Sequence, residues 1–283
     1  MESPTSLARR RLHKSDDDTN DGSPQEVNGI TSSERQPDNS SKGEPRVQQP
    51  PGDPINPVAW LAPLFHLAMA VFYALLLHYG ITLMNDNIKI IDPEGRIPAY
   101  GGRFKFLTHI NQWVQLVYFA FQFFTDILPK SSFKRTAVKV SDVFFTTIAF
   151  PLSWFVVLTF WGIYAYNRNL VYPEAFDKVV PSWLNHFWHT TIGVWVLFEM
   201  LLVFHRFPSS GVAVSIHFVY NAAYIAWIGW IYTQTKFWVY PIMAVLPAPF
   251  LVLFIAGCMF FGLGIFFAGK YISYLRWGQS SVY

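Results

Sequence analysis

Beyond about residue 54 the chain alternates long apolar runs with short polar interruptions. A membrane-spanning helix needs about 20 mostly apolar residues. Six stretches meet that length: 57–80, 105–128, 142–166, 184–204, 212–233 and 247–273. Turn and charge signals separate them: Asp92-Pro93-Glu94-Gly95, the stretch from Lys130 to Lys139, Tyr172-Pro173-Glu174, Phe207-Pro208-Ser209-Ser210-Gly211 and Tyr240-Pro241. The pattern predicts an all-α, polytopic membrane protein, a six-helix transmembrane bundle over 55–283. No internal repeat is evident and no segment reads as a broken helix, which speaks against a transporter.

Composition sharpens this picture. Charged residues are 14% of the chain, against about 25% in soluble domains, and they gather in the first fifty-odd positions. Residues 1–54 are rich in Ser, Asp, Asn, Pro, Gly and Arg, with almost no aromatics. Such a segment cannot bury enough apolar surface to offset the entropy of ordering, so a disordered cytoplasmic tail is expected. Arg9-Arg10-Arg11 is followed by acidic residues rather than an apolar stretch, so the start does not read as a signal peptide.

An even number of spans puts both ends on one side. That side carries the larger share of the 21 Lys and Arg residues, with Lys130, Lys134, Arg135 and Lys139 in one short connection. The positive-inside rule then makes both termini cytoplasmic. Asn39-Ser40-Ser41 has the form of a glycosylation acceptor, but this topology leaves it in the cytosol. The endoplasmic reticulum, the endomembrane system and the plasma membrane are all compatible, and no retrieval signal is present at the C-terminus. The expected surroundings are the lipid bilayer. No basic stripe with interleaved aromatics points to nucleic acid, and nothing sets an oligomeric state. The single cysteine, Cys258, sits in an apolar run, which excludes an intrachain disulfide and a cysteine-based zinc site.

The informative residues are the polar ones inside apolar runs, because such groups are expensive in a bilayer. Thr108 opens the second segment within Tyr100-Gly-Gly-Arg-Phe-Lys-Phe-Leu-Thr108, and Asn185, His186 and His189 open the fourth within Trp183-Leu-Asn-His-Phe-Trp-His-Thr-Thr191. Segments two and four cross in the same direction. At ~1.5 Å rise per residue, Thr108 and His189 lie at one depth, roughly 6–8 Å below the same surface. Thr108, Gln115 and Gln122 recur every seven residues and share a face, with Asn111 and Gln112 beside it. Segment two therefore carries a polar stripe toward the protein interior or a cavity. Asn185 and His189, four apart, share a face as well.

This set fits a nucleophilic hydrolase. A threonine hydroxyl needs an adjacent base; a neutral imidazole is the usual one, and its second nitrogen needs a partner that fixes the tautomer. Asn185, Asn111 or a backbone carbonyl can fill that role, with His186 and Gln115 as supporting residues. Both candidates lie near predicted helix N-termini, whose free N–H groups suit an oxyanion. Three other readings stay open. Thr108 can simply bond the carbonyl four residues back. His109, His186, His189, His205 and His217 with Asp126 can supply a zinc or iron site of the intramembrane-ceramidase kind, although His186 and His189 are the only close pair. The chain can also be a membrane scaffold. Glu199, near the middle of segment four, is expected to be protonated or paired.

At these residues the chain resembles the family of androgen-induced and androgen-dependent TFPI-regulating proteins, integral-membrane hydrolases of fatty acid esters of hydroxy fatty acids. The likeness rests on Gly101 to Thr108, Asp126, Ala149-Phe-Pro151, Phe160-Trp-Gly-Ile-Tyr164, Tyr166-Asn-Arg168 and Val171-Tyr-Pro173. It continues through Trp183-Leu-Asn-His186, His189-Thr190, Glu199, His205, Pro208-Ser209 and Trp238-Val-Tyr-Pro241. The resemblance implies Thr108 as catalytic nucleophile, His189 as catalytic histidine, a lipid ester as substrate, and no metal or other cofactor. The long N-terminal tail, Ser141, Phe104, Phe207 and Gly269-Lys270 depart from the family pattern.

Overall fold

A computed structural model describes residues 54, 56–91 and 99–278. The expected tail, Arg9-Arg10-Arg11, the Asn39 acceptor, the Asp92 to Gly95 turn and the C-terminal end lie outside them. The described residues form helices and turns, with no β-strand. The α-helices are α1 (Ala62–Ile91), α2 (Leu107–Ile127), α3 (Ser132–Phe144), α4 (Phe150–Asn167), α5 (Ser182–His189), α6 (Thr191–Leu202), α7 (Ser210–Thr235), α8 (Pro241–Val245, a single short turn) and α9 (Ala248–Trp277).

Four helical stretches have the length and apolar composition to cross a membrane: Ala59–Asn87, Ser132–Leu170, Ser210–Thr235 and Ala248–Trp277. Helix α2 has the length, but Asn111, Gln112, Gln115 and Gln122 make it too polar to qualify by composition. All four of these side chains are buried, so its polar stripe does face the interior. Helix α6 is apolar but short.

Two segments depart from expectation. The third does not begin at 142: α3, a π-turn at Phe145–Ala149 and α4 run on continuously. The supposed loop from Lys130 to Lys139 is mostly helix, started by the Ser131 hydroxyl accepting from the Lys134 amide at 3.1 Å. Pro151 cannot donate to the carbonyl four residues back, and the wider π-turn just before it absorbs that mismatch. The fourth segment, expected as one span, is broken at Thr190. There the Gly193 amide bonds the Thr190 carbonyl at 3.2 Å, while Trp161 Nε1 donates to the His189 carbonyl at 3.0 Å. A side chain thus intercepts a carbonyl of the helical ladder, a recognised cause of a break. A broken helix is therefore present after all, and this ground against a transporter falls away.

The core is aromatic. Tyr73, Tyr118, Phe119, Phe145, Leu184, Ile192 and Met200 are buried together where α1, α2, the π-turn, α5 and α6 meet. Helix α9 approaches this core through glycines: a Cβ at Gly269 would fall 2.5 Å from Phe150, and one at Gly262 would fall 2.7 Å from His217.

Candidate active site

Thr108 is the second residue of α2. Gly101 sets the chain up for that helix. It has φ +79°, in the left-handed region that favours glycine, and its Cβ position lies 2.8 Å from Ile231. A short 3₁₀ turn, Gly102–Lys105, follows. In the first turn of α2 the His109 and Ile110 amides reach the Phe106 carbonyl, and the Leu107 amide donates to the Tyr240 hydroxyl at 2.8 Å. The Thr108 amide is left without an acceptor among the described residues, in the part of a helix where N–H groups point outward.

The structure brings Thr108 and His189 together: Thr108 Oγ1 lies 3.2 Å from His189 Nε2. His189 is buried and closes α5, so it sits at a helix C-terminus and not near an N-terminus as expected. Its Nδ1 lies 2.7 Å from the Asn185 side-chain oxygen and 3.1 Å from the Asn185 carbonyl. The carbonyl can only accept, so Nδ1 carries the proton and Nε2 turns a lone pair toward the threonine hydroxyl. Phe160 stacks on the imidazole with ring centroids 3.5 Å apart and planes 8° apart, which fixes the ring in the other two dimensions.

The other predicted supports stand elsewhere. His186 stacks on Trp161 and its Nδ1 lies 3.0 Å from the Thr190 hydroxyl, one step behind the pair. Asn111 and Gln115 bond to each other, to Ser153 and to the Ala149 carbonyl, not to His189. They tie α2 to α4 below the pair. The ligands that a metal reading needs are dispersed: His109 accepts from Trp113, His217 bonds Tyr220 and the Met259 carbonyl, and His205 bonds Asp142 and Glu199. Among the described residues no three His, Cys, Asp or Glu are grouped to hold a metal ion.

Two largely apolar cavities meet at Thr108. The first, about 140 Å³, lies among α4, α7, α8 and α9, walled by Phe155, Tyr220, Ile255, Cys258 and Met259. The second, about 160 Å³, lies among α1, α2, α5 and the connection after α4, walled by Leu77, Gly80, Met84, Tyr172 and Trp188, and it also holds His189. Thr108, Phe160, Val171 and Tyr240 line both.

With this geometry in place, similarity to known proteins is informative. The model of the FAR-17a/AIG1-like protein family matches residues 61–274. The chain belongs to that family. Among its FAR-17a/AIG1-like relatives, the androgen-dependent TFPI-regulating protein of Rattus norvegicus is 34% identical over 220 residues, 77% of this chain and 94% of the relative. The Homo sapiens protein of that name is 33% identical over 76% of this chain and 93% of its own length. The androgen-induced gene 1 protein of Homo sapiens is 35% identical over 60% of this chain and 74% of the relative. No solved structure matches. This FAR-17a/AIG1-like chain is thus a membrane protein of a known family.

Sequence reasoning missed three groups near the pair. Phe160 stood only as part of a family block, with nothing to tie it to His189. Tyr240 and Tyr224 form a short hydroxyl relay, 2.9 Å apart, from the Leu107 amide to the Lys105 carbonyl. Arg103 lines the second cavity. His66 was also passed over; it belongs to a separate buried network with Glu199, which is paired as expected.

Proposed function

We propose that this chain is an intramembrane threonine hydrolase that cleaves lipid esters, with fatty acid esters of hydroxy fatty acids as the substrate class. The observation that carries the reading is the Thr108–His189 contact of 3.2 Å at the junction of two apolar cavities. Thr108 Oγ1 attacks the ester carbonyl while His189 Nε2 takes its proton; Asn185 holds the imidazole in the tautomer that can do so. The protonated His189 then gives the proton to the departing alkoxide, leaving an acyl-threonine. Water deprotonated by the same nitrogen attacks the acyl group, releases the acid and returns the proton to Thr108. In this reading the Thr108 amide, in the first turn of α2, donates to the developing oxyanion.

An ester joining two long chains has two apolar arms diverging from one carbonyl, and two cavities diverging from one hydroxyl suit it. In this reading α2 and the broken α5–α6 pair complete a six-span bundle with the four apolar spans. Their polar faces are tolerated because they are buried against protein. The cations on α3 and its approach put that end, and both termini, in the cytoplasm.

The test is a fluorophosphonate probe on the purified membrane protein, with peptide mapping, alongside turnover of a fatty acid ester of hydroxystearic acid. Labelling is expected at Thr108, abolished in Thr108→Ala and strongly reduced in His189→Ala. Normal turnover by either folded variant, or labelling at another residue, ends the assignment.

A further inference from the structure

The second cavity holds a cation that the proposed chemistry does not use. Arg103 stands on the 3₁₀ turn ahead of α2, half-buried, and lines the same cavity as Thr108 and His189. One guanidinium nitrogen, Nη2, donates to the Ile81 carbonyl at 2.8 Å and to the Asn85 side-chain oxygen at 2.6 Å. Both acceptors are neutral and belong to the far end of α1, so among the described residues the head group is held in place by dipoles alone. The remaining three of its five N–H groups have no acceptor among the described residues, and no carboxylate there lies within ion-pair reach. A cation oriented by neutral dipoles at the edge of an apolar cavity is an incomplete arrangement, because removing charge from water is costly unless a counter-charge is supplied. An anion that enters with the ligand would complete it, and a guanidinium fork matches a carboxylate.

We infer that Arg103 is the residue that binds the free carboxylate of the hydroxy-acid portion, and so sets the preference for that substrate class over neutral esters. This rests on the hydrolase reading above and narrows it. Arg103 and Thr108 line the same cavity, so one ligand can reach both. Neutral acylglycerols and sterol esters lack the matching charge. The second cavity receives the acid-bearing arm and the first receives the plain acyl arm.

The experiment compares an acyl ester of 9-hydroxystearic acid with its own methyl ester, which differs by that charge alone. The protein is reconstituted in phosphatidylcholine vesicles. Wild type is expected to prefer the free acid in kcat/KM by about 10- to 100-fold, the range of a charge-assisted hydrogen-bonded pair. In Arg103→Gln the preference collapses through a raised KM for the acid, with a smaller effect on the methyl ester. Arg103→Lys recovers part of it. An unchanged acid-to-ester ratio in Arg103→Gln overturns the inference.

If Arg103 instead holds a lipid headgroup phosphate, the substitution weakens both substrates alike, and the loss changes when phosphatidic acid is added to the vesicles; that outcome also overturns it. Should Arg103→Gln fail to fold, competition in wild type decides. Stearic acid is expected to inhibit at least tenfold more strongly than methyl stearate, and equal inhibition refutes the inference. Binding of the same two lipids to Thr108→Ala separates this inference from the hydrolase reading. A carboxylate preference there stands even if turnover is absent, and its loss counts against Arg103 even if turnover is present.

Discussion

Two buried polar regions of this molecule have opposite designs. In one, Asp126, His66, Glu199, His205 and Asp142 close on one another in a chain. Asp126 lies 2.5 Å from His66 Nδ1, Glu199 lies 2.8 Å from His66 Nε2 and 3.1 Å from His205 Nε2, and Asp142 lies 3.0 Å from His205 Nδ1. Tyr118 adds a hydroxyl donor to Glu199 at 2.5 Å. Both nitrogens of each imidazole and both oxygens of Glu199 are used, and neither cavity at Thr108 touches this network. In the other region, the Thr108–His189 pair has one partner on one side, Asn185, and free volume on the other.

The contrast follows from one rule. In a low-dielectric interior an unpaired polar group is costly, so complete pairing gives structure. Incomplete pairing beside a cavity leaves room for a ligand to supply what is missing. The network binds α1, α2, α6 and the residues before the π-turn into one body. The pair is left open for chemistry.

The sharpest way to break this comparison is at the open site. Thr108→Val removes the hydroxyl at nearly constant shape. Turnover of the hydroxystearate ester is expected to fall by on the order of 10⁴-fold or more, as for other nucleophile deletions, while the melting temperature in detergent stays at the wild-type value. An equal loss of stability would mean that Thr108 is a structural group. The mirror experiment is Glu199→Ala, which strands two histidines and a tyrosine hydroxyl. Removing one partner of a buried charged network costs about 3–5 kcal/mol. A large drop in thermal stability and yield is expected, with turnover per folded molecule retained. A fully stable but inactive Glu199→Ala protein would move the network from scaffold to mechanism.

How far the sequence disclosed these two regions depends on the range of the interactions. Asn185 and His189 are four apart on one helix, so their contact follows from helical spacing. That Thr108 and His189 could meet follows from the order of the expected spans alone, and the 3.2 Å contact is what the structure adds. The break at Thr190 was not legible. It depends on Trp161 reaching across from α4 to take the His189 carbonyl, and Thr190, Thr191 and Gly193 give only a weak local signal. His66 was illegible for the same reason: alone on α1 it resembles any histidine in an apolar run, and its role appears only when α2 and α6 bring Asp126 and Glu199 to it. Asn111 and Gln115 were read correctly as interior-facing, but their partner helix was not foreseeable, and it is α4 rather than α5 that they meet. The helix at Ser132–Phe144 was hidden by its charge, since a cationic amphipathic stretch between two spans has the composition of a loop.

A milder perturbation tests whether Asn185 matters through its side chain. Asn185→Ala deletes the 2.7 Å contact to His189 Nδ1 but leaves the Asn185 carbonyl at 3.1 Å. The tautomer is therefore retained and the ring is held less firmly. The expected loss in kcat is on the order of tenfold, the equivalent of one hydrogen bond to a group that becomes charged, with little change in KM. A loss as large as that of His189→Ala would assign Asn185 a direct part in the chemistry.

The smallest effect is expected on the wall of the first cavity, away from the residues that line both cavities. Cys258 is half-buried and lines its wall. Cys258→Phe adds a ring to that wall without touching the pair or the network. Shortening the space for the plain acyl arm lowers kcat/KM for long acyl groups by up to about tenfold, the low end of the range for a methylene lost from an apolar pocket, and leaves short acyl esters within about twofold. A uniform change across the acyl series would mean that the acyl arm lies elsewhere. The pair would then serve one cavity, the second, and the match between two diverging cavities and a two-armed ester would lose its force.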